Sequence, residues 1–219
     1  MVSTVILAGL VAFATGVVSV PISNAEDTSQ FLIPTLIPGY RIEDLEWIAQ
    51  AAPSGPFLTV NGTVQDVVAA LTKSYPPYES ELRHDMVHHM SQNIVLQSRW
   101  RKDYNIKNYK CGNDSGEAET DLIRAGIRYL RHVNGVPQNG PGPGACGRVS
   151  CSWKSAIYWC NDSETEKTLE SFDQIADSAR FLIEMCRRQY DSWRTVAKFG
   201  GEVHYDNGWS VIVRRDETC

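Results

Sequence analysis

The first half of this 219-residue chain has no cysteine, and its first 25 residues carry no charged side chain. A basic surplus is missing as well, since 21 Lys and Arg stand against 26 Asp and Glu for a net charge of −5. A general nucleic-acid binder needs a basic face to replace the counterions on phosphate. Here Arg187-Arg188 and Arg214-Arg215 are only isolated pairs, so nucleic acid is not favoured as a partner. Internal repeats and coiled-coil heptads are absent, which excludes solenoids and long helical rods. No two cysteines lie two to four residues apart, and no histidine pair follows them at ligand spacing, which excludes zinc ribbons and fingers.

The apolar, uncharged start, MVSTVILAGLVAFATGVVSV, is followed by Pro21 and the small polar run Ser23-Asn24-Ala25. This pattern reads as a signal peptide over residues 1–25, cut after Ala25. The competing reading is an uncleaved anchor, because about 19 apolar residues suffice to span a bilayer. The small residues and the proline favour cleavage, and nothing downstream is long and apolar enough to span. The expected product is extracellular and held by no membrane.

Six cysteines, Cys111, Cys146, Cys151, Cys160, Cys186 and Cys219, lie behind this leader. An even number in an oxidising compartment predicts three disulfides and leaves no thiolate to bind a metal or attack a substrate. Spacing does not select the pairing. Cys186 falls on the apolar face of a predicted helix, so Cys151 or Cys160 on the adjacent hairpin is a plausible partner, while Cys219 would tie the C-terminus back to the body. Three N-glycosylation acceptors, Asn61, Asn113 and Asn161, are compatible with export.

Hydrophobic periodicity divides the chain at about residue 103. Before it, Thr63 with Asp66 caps a short helix that Pro76-Pro77 ends, and a second helix begins at Ser80 with Leu82, Met86, Met90 and Ile94 on one stripe. Residues 26–102 thus read as a helical pro-region or accessory segment, with Arg101-Lys102 as a candidate processing site. After the boundary, a helix starts at Thr120 and closes at Asn134-Gly135, and RVSCSW and AIYWC flank Lys154-Ser155 as a hairpin. Ser171 with Gln174 opens a long helix whose face runs from Phe172 to Tyr190. EVHYDNGWSVIVRR forms a last hairpin around Asn207-Gly208, with Val203, Tyr205, Val211 and Val213 on one side and His204, Ser210, Ile212 and Arg214 on the other. The expected fold of residues 103–219 is α+β, a small disulfide-bonded sandwich in αββαββ order with helices on a mainly antiparallel sheet.

The blocks GPGACGRVSCSWKSAIYWCND, IADSARFLIEMC and GGEVHYDNGWSVIVRRDETC together resemble small cysteine-rich secreted proteins of filamentous fungi, many of them effector candidates. The resemblance covers residues 111–219. It implies a secreted, disulfide-bonded protein acting outside the fungal cell or on a host plant, and it carries no catalytic residues.

Two constellations could hold chemistry. His84 and His88 lie one helical turn apart, as zinc-binding histidines do, but Asp85 stands where a longer glutamate would be needed to reach a metal-bound water. Their positions also oppose the Leu82–Met86–Met90 stripe, so a solvated helix face is the simpler reading and no metal or cofactor is expected. Glu202, His204 and Arg214 share a face of the last hairpin, with Arg148 and His132 as candidate neighbours. A carboxylate, an imidazole and a guanidinium could cleave RNA as small ribonucleases do. Polar residues also belong on any exposed sheet face. Trp153, Trp159, Trp193 and Trp209 crowd the cysteine-bearing half, and any left exposed would favour a binding surface over a catalytic cleft. The leading expectation is a non-enzymatic, effector-like protein that binds a host protein or cell-wall glycan; the alternative is a ribonuclease-like hydrolase.

Overall fold

A computed structural model describes residues 37–52, 54–84, 105–112, 116–187 and 197–219. Residues 1–36, 85–104 and 188–196 lie outside them, and with them the expected signal peptide, Asp85, His88, the Arg101-Lys102 pair, most of the expected second helix, Arg188, Tyr190 and Trp193. Among the described residues, twelve strands and four helices are labelled in chain order. They are β1 (Arg41–Glu43), β2 (Glu46–Gln50), β3 (Phe57–Asn61), α1 (Val64–Ser74) and α2 (residues 78–84), then β4 (Ile106–Cys111), β5 (Ala118–Glu119) and α3 (Thr120–His132). After these come β6 (Gln138–Asn139), β7 (Ala145–Ser152), β8 (Ser155–Asn161), β9 (Lys167–Thr168), α4 (Asp173–Arg187), β10 (Lys198–Phe199), β11 (Gly201–Tyr205) and β12 (Trp209–Arg215).

The protein is α+β, and its main sheet has the order β1-β7-β8-β12-β11-β4. β1 runs parallel to β7, and every other pairing in that sheet is antiparallel. The αββαββ order needs correction, because β4 enters ahead of α3 as one edge and β1, from the first half of the chain, forms the other. Strand β8, SAIYWCN, is buried at every position, as a central strand covered on both faces must be.

Alternation assigns the faces. Ile157, Trp159, Val203, Tyr205, Trp209, Val211 and Val213 point to the side on which α1, α3 and α4 pack. Cys146, Ala156, Tyr158, Cys160 and Ile212 point to the other side and form a smaller cluster with Ile37, Tyr40 and Ile42. The predicted sides of the last hairpin are borne out, with His204 opposite Ser210 and Val203 opposite Val211. Its loop is Asp206-Asn207-Gly208, where Gly208 takes a φ of 76° that other residues resist.

The segment before residue 103, expected to be helical, carries β1, β2 and β3 as well as α1 and α2. Thr63 opens α1 as predicted, its backbone N–H and hydroxyl both donating to Asp66 at 2.8 and 2.7 Å. Trp47 is fully buried, stacks on Phe172 at 4.3 Å and donates from its indole nitrogen to Gly62 O at 2.8 Å. Leu45 fills a notch on β7 that exists because residue 147 is glycine; a Cβ there would stand 2.0 Å from the Leu45 Cγ. Val64, Val67 and Leu71 of α1 enter the same core as α3 and α4. The described residues of the first half are therefore part of the core under the sheet.

Three disulfides join Cys111 to Cys186, Cys146 to Cys160 and Cys151 to Cys219. Cys219 does tie the C-terminus back. The expected partner for Cys186 was wrong: α4 lies under β4, so Cys186 meets Cys111, while Cys151 and Cys160 are on the opposite face. Cys146 and Cys151 are an odd number apart, and simple alternation would place them on different faces. A bulge at Val149, between the Arg148 and Ser150 pairings, restores Cys151 to the face of Cys146, where Cys219 reaches it.

Candidate functional site

The face away from the helices holds two polar clusters. The first centres on His204, whose Nδ1 lies 3.5 Å from Asp162 Oδ2 and whose Nε2 lies 3.8 Å from Glu202 Oε1. Asp162 follows the end of β8, and Glu202 is two residues back along β11. Tyr40 closes on the same group, near Asp162 and Ser210. Ser210 Oγ is buried and close enough to favour the Asp162 carboxylate, yet it makes no bond of ordinary geometry.

These contacts shift the protonation equilibria of the cluster. Asp162 and then Glu202 raise the His204 imidazolium from 6.5 to about 9, so it is charged at neutral pH. The Glu202 carboxyl is lowered, first by His204. Burial pushes Asp162 upward, but His204, Ser210 and Tyr40 outweigh it and leave that carboxyl lowered too. Burial lifts the Tyr40 phenol to about 12. An imidazolium held between two carboxylates has no free lone pair, and a general base needs one. The arrangement links the residue after β8 to β11.

Of the proposed catalytic trio, the fold brings Glu202 and His204 together and leaves Arg214 elsewhere. Arg214 shares their face but lies further along β12, opposite Ala156 on β8, where its electrostatic neighbours are Tyr158 and Asp216. His132 ends α3 on the far side of the sheet, its Nδ1 2.7 Å from Arg128 O. Arg148 belongs to the second cluster, donating to Asp216 Oδ2 at 2.9 Å and to Thr218 Oγ1 at 2.7 Å. Tyr158 donates to the same Asp216 oxygen at 2.5 Å. Burial would raise the Asp216 carboxyl, but the bonds from Tyr158, Thr218 and Arg148 hold it down at about 2. Sequence reasoning missed Asp162, Tyr40 and Asp216, because no local spacing links them to His204 or Arg148.

Among the described residues, one set of three potential metal ligands converges, Cys151, Asp216 and Cys219, within 4.8 Å of one another. Both sulfurs are bonded to each other, so the set offers no thiolate. His84 is exposed on α2, and His88 lies outside the described residues. Asn161 is fully buried in this fold, and its amide donates to Gly140 O at 2.8 Å and Thr165 O at 2.7 Å. Asn61 is exposed on β3, and Asn113 lies outside the described residues.

The remaining feature is the tip of the β7–β8 hairpin. Trp47, Trp159 and Trp209 are buried, but Trp153 is 81% exposed. Trp153 and Lys154 form the two-residue turn, one position earlier than the sequence suggested, with φ values of 46° and 63°. This is the twist that hairpins need and that Asn-Gly supplies without strain. For a bulky tryptophan it costs about 1–2 kcal/mol. The turn is held from below by Cys151–Cys219, by the Asp216 N–H donating to Lys154 O at 3.2 Å, and by Lys154 Nζ on Glu217 at 2.7 Å. Among the described residues, no helix is long and apolar enough to cross a membrane, and that with three disulfides is compatible with an extracellular protein. Comparison with protein-family models, with curated proteins and with solved structures returns no match, so the functional reading rests on this chain's own residues.

Proposed function

We propose that this chain is an exported, effector-like binding protein of fungal type, without enzymatic activity, that engages a host protein or cell-wall glycan through the tip of its β7–β8 hairpin. The observation that carries this reading is Trp153, exposed on a strained turn that a disulfide, a backbone hydrogen bond and an ion pair hold in place. An exposed tryptophan forfeits burial, and a left-handed one adds strain, so the fold gains nothing locally from either. A rigid aromatic anchor lowers the ordering cost of association. The disulfides and the apolar leader support export.

The ribonuclease-like alternative is weakened because Arg214 lies away from His204, opposite Ala156 on β8, with Tyr158 and Asp216 as its electrostatic neighbours. Two measurements test the reading together. Wild type and Trp153→Ala are compared for retention on plant cell walls and on immobilised extracellular plant proteins, with loss in the variant expected. RNA cleavage is assayed for wild type and His204→Ala; a rate that wild type shows and the variant loses would replace binding by catalysis.

A further inference from the structure

We infer that the Trp153 tip takes a neutral, β-linked pyranose polymer, stacking one sugar face on the indole while the paired side chains beneath it hydrogen-bond the hydroxyls. This deepens the binding reading above and rests on it. The first argument is area. A stable protein interface needs roughly 800 Å² from each partner with an apolar centre. Of the groups that hold the turn, Lys154, Asp216 and Glu217 are charged and only the Cys151–Cys219 bridge is apolar, too small to form the centre of a protein interface. Among the described residues, the other large exposed apolar side chains belong to other elements: Ile48 and Phe57 to the β2–β3 hairpin, Val136 to the loop after α3, and Ile106 and Tyr109 to β4. One indole exposed at a turn matches one sugar ring. A pyranose whose hydroxyls are equatorial turns axial C–H bonds to each face, and those faces suit an aromatic plane.

The second argument is charge. Lys154 and Arg215 both engage Glu217, and Arg148 engages Asp216. Cations already spent on carboxylates are poor receptors for an anionic headgroup or a uronic acid, which would have to break those pairs. Paired guanidinium and carboxylate groups still present in-plane donors and acceptors to hydroxyls. Thr218, exposed beside Arg148, adds another. The third argument is rigidity. A turn clamped by a disulfide holds the indole outward before any ligand arrives, so little freedom is lost on stacking.

The test uses the oxidised, exported chain with insoluble chitin, β-1,3-glucan, cellulose and polygalacturonate in pull-down, and soluble oligosaccharides followed by indole fluorescence. Retention on at least one neutral polymer is expected, reduced at least tenfold in Trp153→Ala and largely restored in Trp153→Tyr, with salt having little effect. Circular dichroism and an unchanged disulfide count confirm that the variants fold. Binding to polygalacturonate alone, or to no glycan, overturns the inference. If a purified extracellular plant protein is then bound in a Trp153-dependent way, the tip remains the binding site and only the ligand class was wrong. Equal retention of wild type and Trp153→Ala on walls, glycans and proteins removes both readings.

Discussion

The two faces of the main sheet solve the same problem differently. On one, apolar residues from β8, β11 and β12 meet three helices, and stability comes from excluded water. On the other, Ile212 and Tyr158 share the surface with a cross-strand disulfide and two ionic clusters, each complete within itself. The comparison teaches that charged residues on a sheet face need not mark catalysis. His204 has a carboxylate at each nitrogen and Asp216 accepts from Tyr158, Arg148 and Thr218, so each cluster ties separate segments together across this face.

The largest effect should come from breaking the helix side at its N-terminal contribution. Trp47→Ala removes the ring stacked on Phe172 and should cost about 3–5 kcal/mol. Deleting residues 26–102 removes Trp47, Val64, Val67 and Leu71 together, which exceeds the roughly 5–15 kcal/mol that holds a domain. No cooperative thermal transition is expected from the truncated chain, and a normal one would mean that the second half folds alone.

Next come the disulfides. Cys111–Cys186 closes 75 residues and joins the helix side to the sheet edge, whereas Cys146–Cys160 closes 14 within one hairpin. Removing the first by a double serine substitution should cost about 4 kcal/mol and the second about 3, read by urea titration. The reverse order would show that the face away from the helices depends on its staple more than on loop entropy.

The ionic clusters give smaller, pH-dependent effects of opposite sign. His204 rises from 6.5 to about 9 on folding, so its contribution is complete below 6.5 and is lost as pH climbs through 9. Partial exposure screens the pairs, leaving about 2 kcal/mol. His204→Ala should therefore lower stability at pH 6 and flatten its decline between pH 6.5 and 9. Asp216 is lowered to about 2, so its contribution is present above the ordinary carboxylate range and is lost as pH falls through that value. Asp216→Asn should weaken the protein at neutral pH and change little in strong acid.

The smallest effect runs the other way. Trp153→Asn suits positive φ better and should stabilise by about 1 kcal/mol, a rise of a few degrees in Tm, while removing the exposed ring. Gained stability with lost binding would mark the tip as strained for function.

Much of this architecture is legible in local pattern. Alternation assigned Val203 and Val211 to one side and His204 and Ser210 to the other, the Thr63–Asp66 pair marked a helix start, and an even set of cysteines behind an apolar leader predicted three bonds. The site was only half legible. Glu202 and His204 were found because they share a strand, while Asp162, just after β8, and Tyr40, just before β1, arrive from segments that no periodicity connects to β11. Arg214 was placed on the right face and in the wrong company, since alternation gives a side without giving a distance along the strand. Asn161 reads as a glycan acceptor, yet it is buried with its amide fully engaged.

What the sequence determined by itself is therefore whatever repeats over a few residues: which side chains face together, where helices begin, and that no thiol is left over. Tertiary structure decided which cysteines meet, that a bulge at Val149 carries Cys151 to the face of Cys219, that Trp47 and β1 belong to the second half's core, and that Trp153 alone of the described tryptophans faces solvent. Those outcomes depend on register and on contacts between distant segments, and such contacts are chosen by the packing of the whole chain.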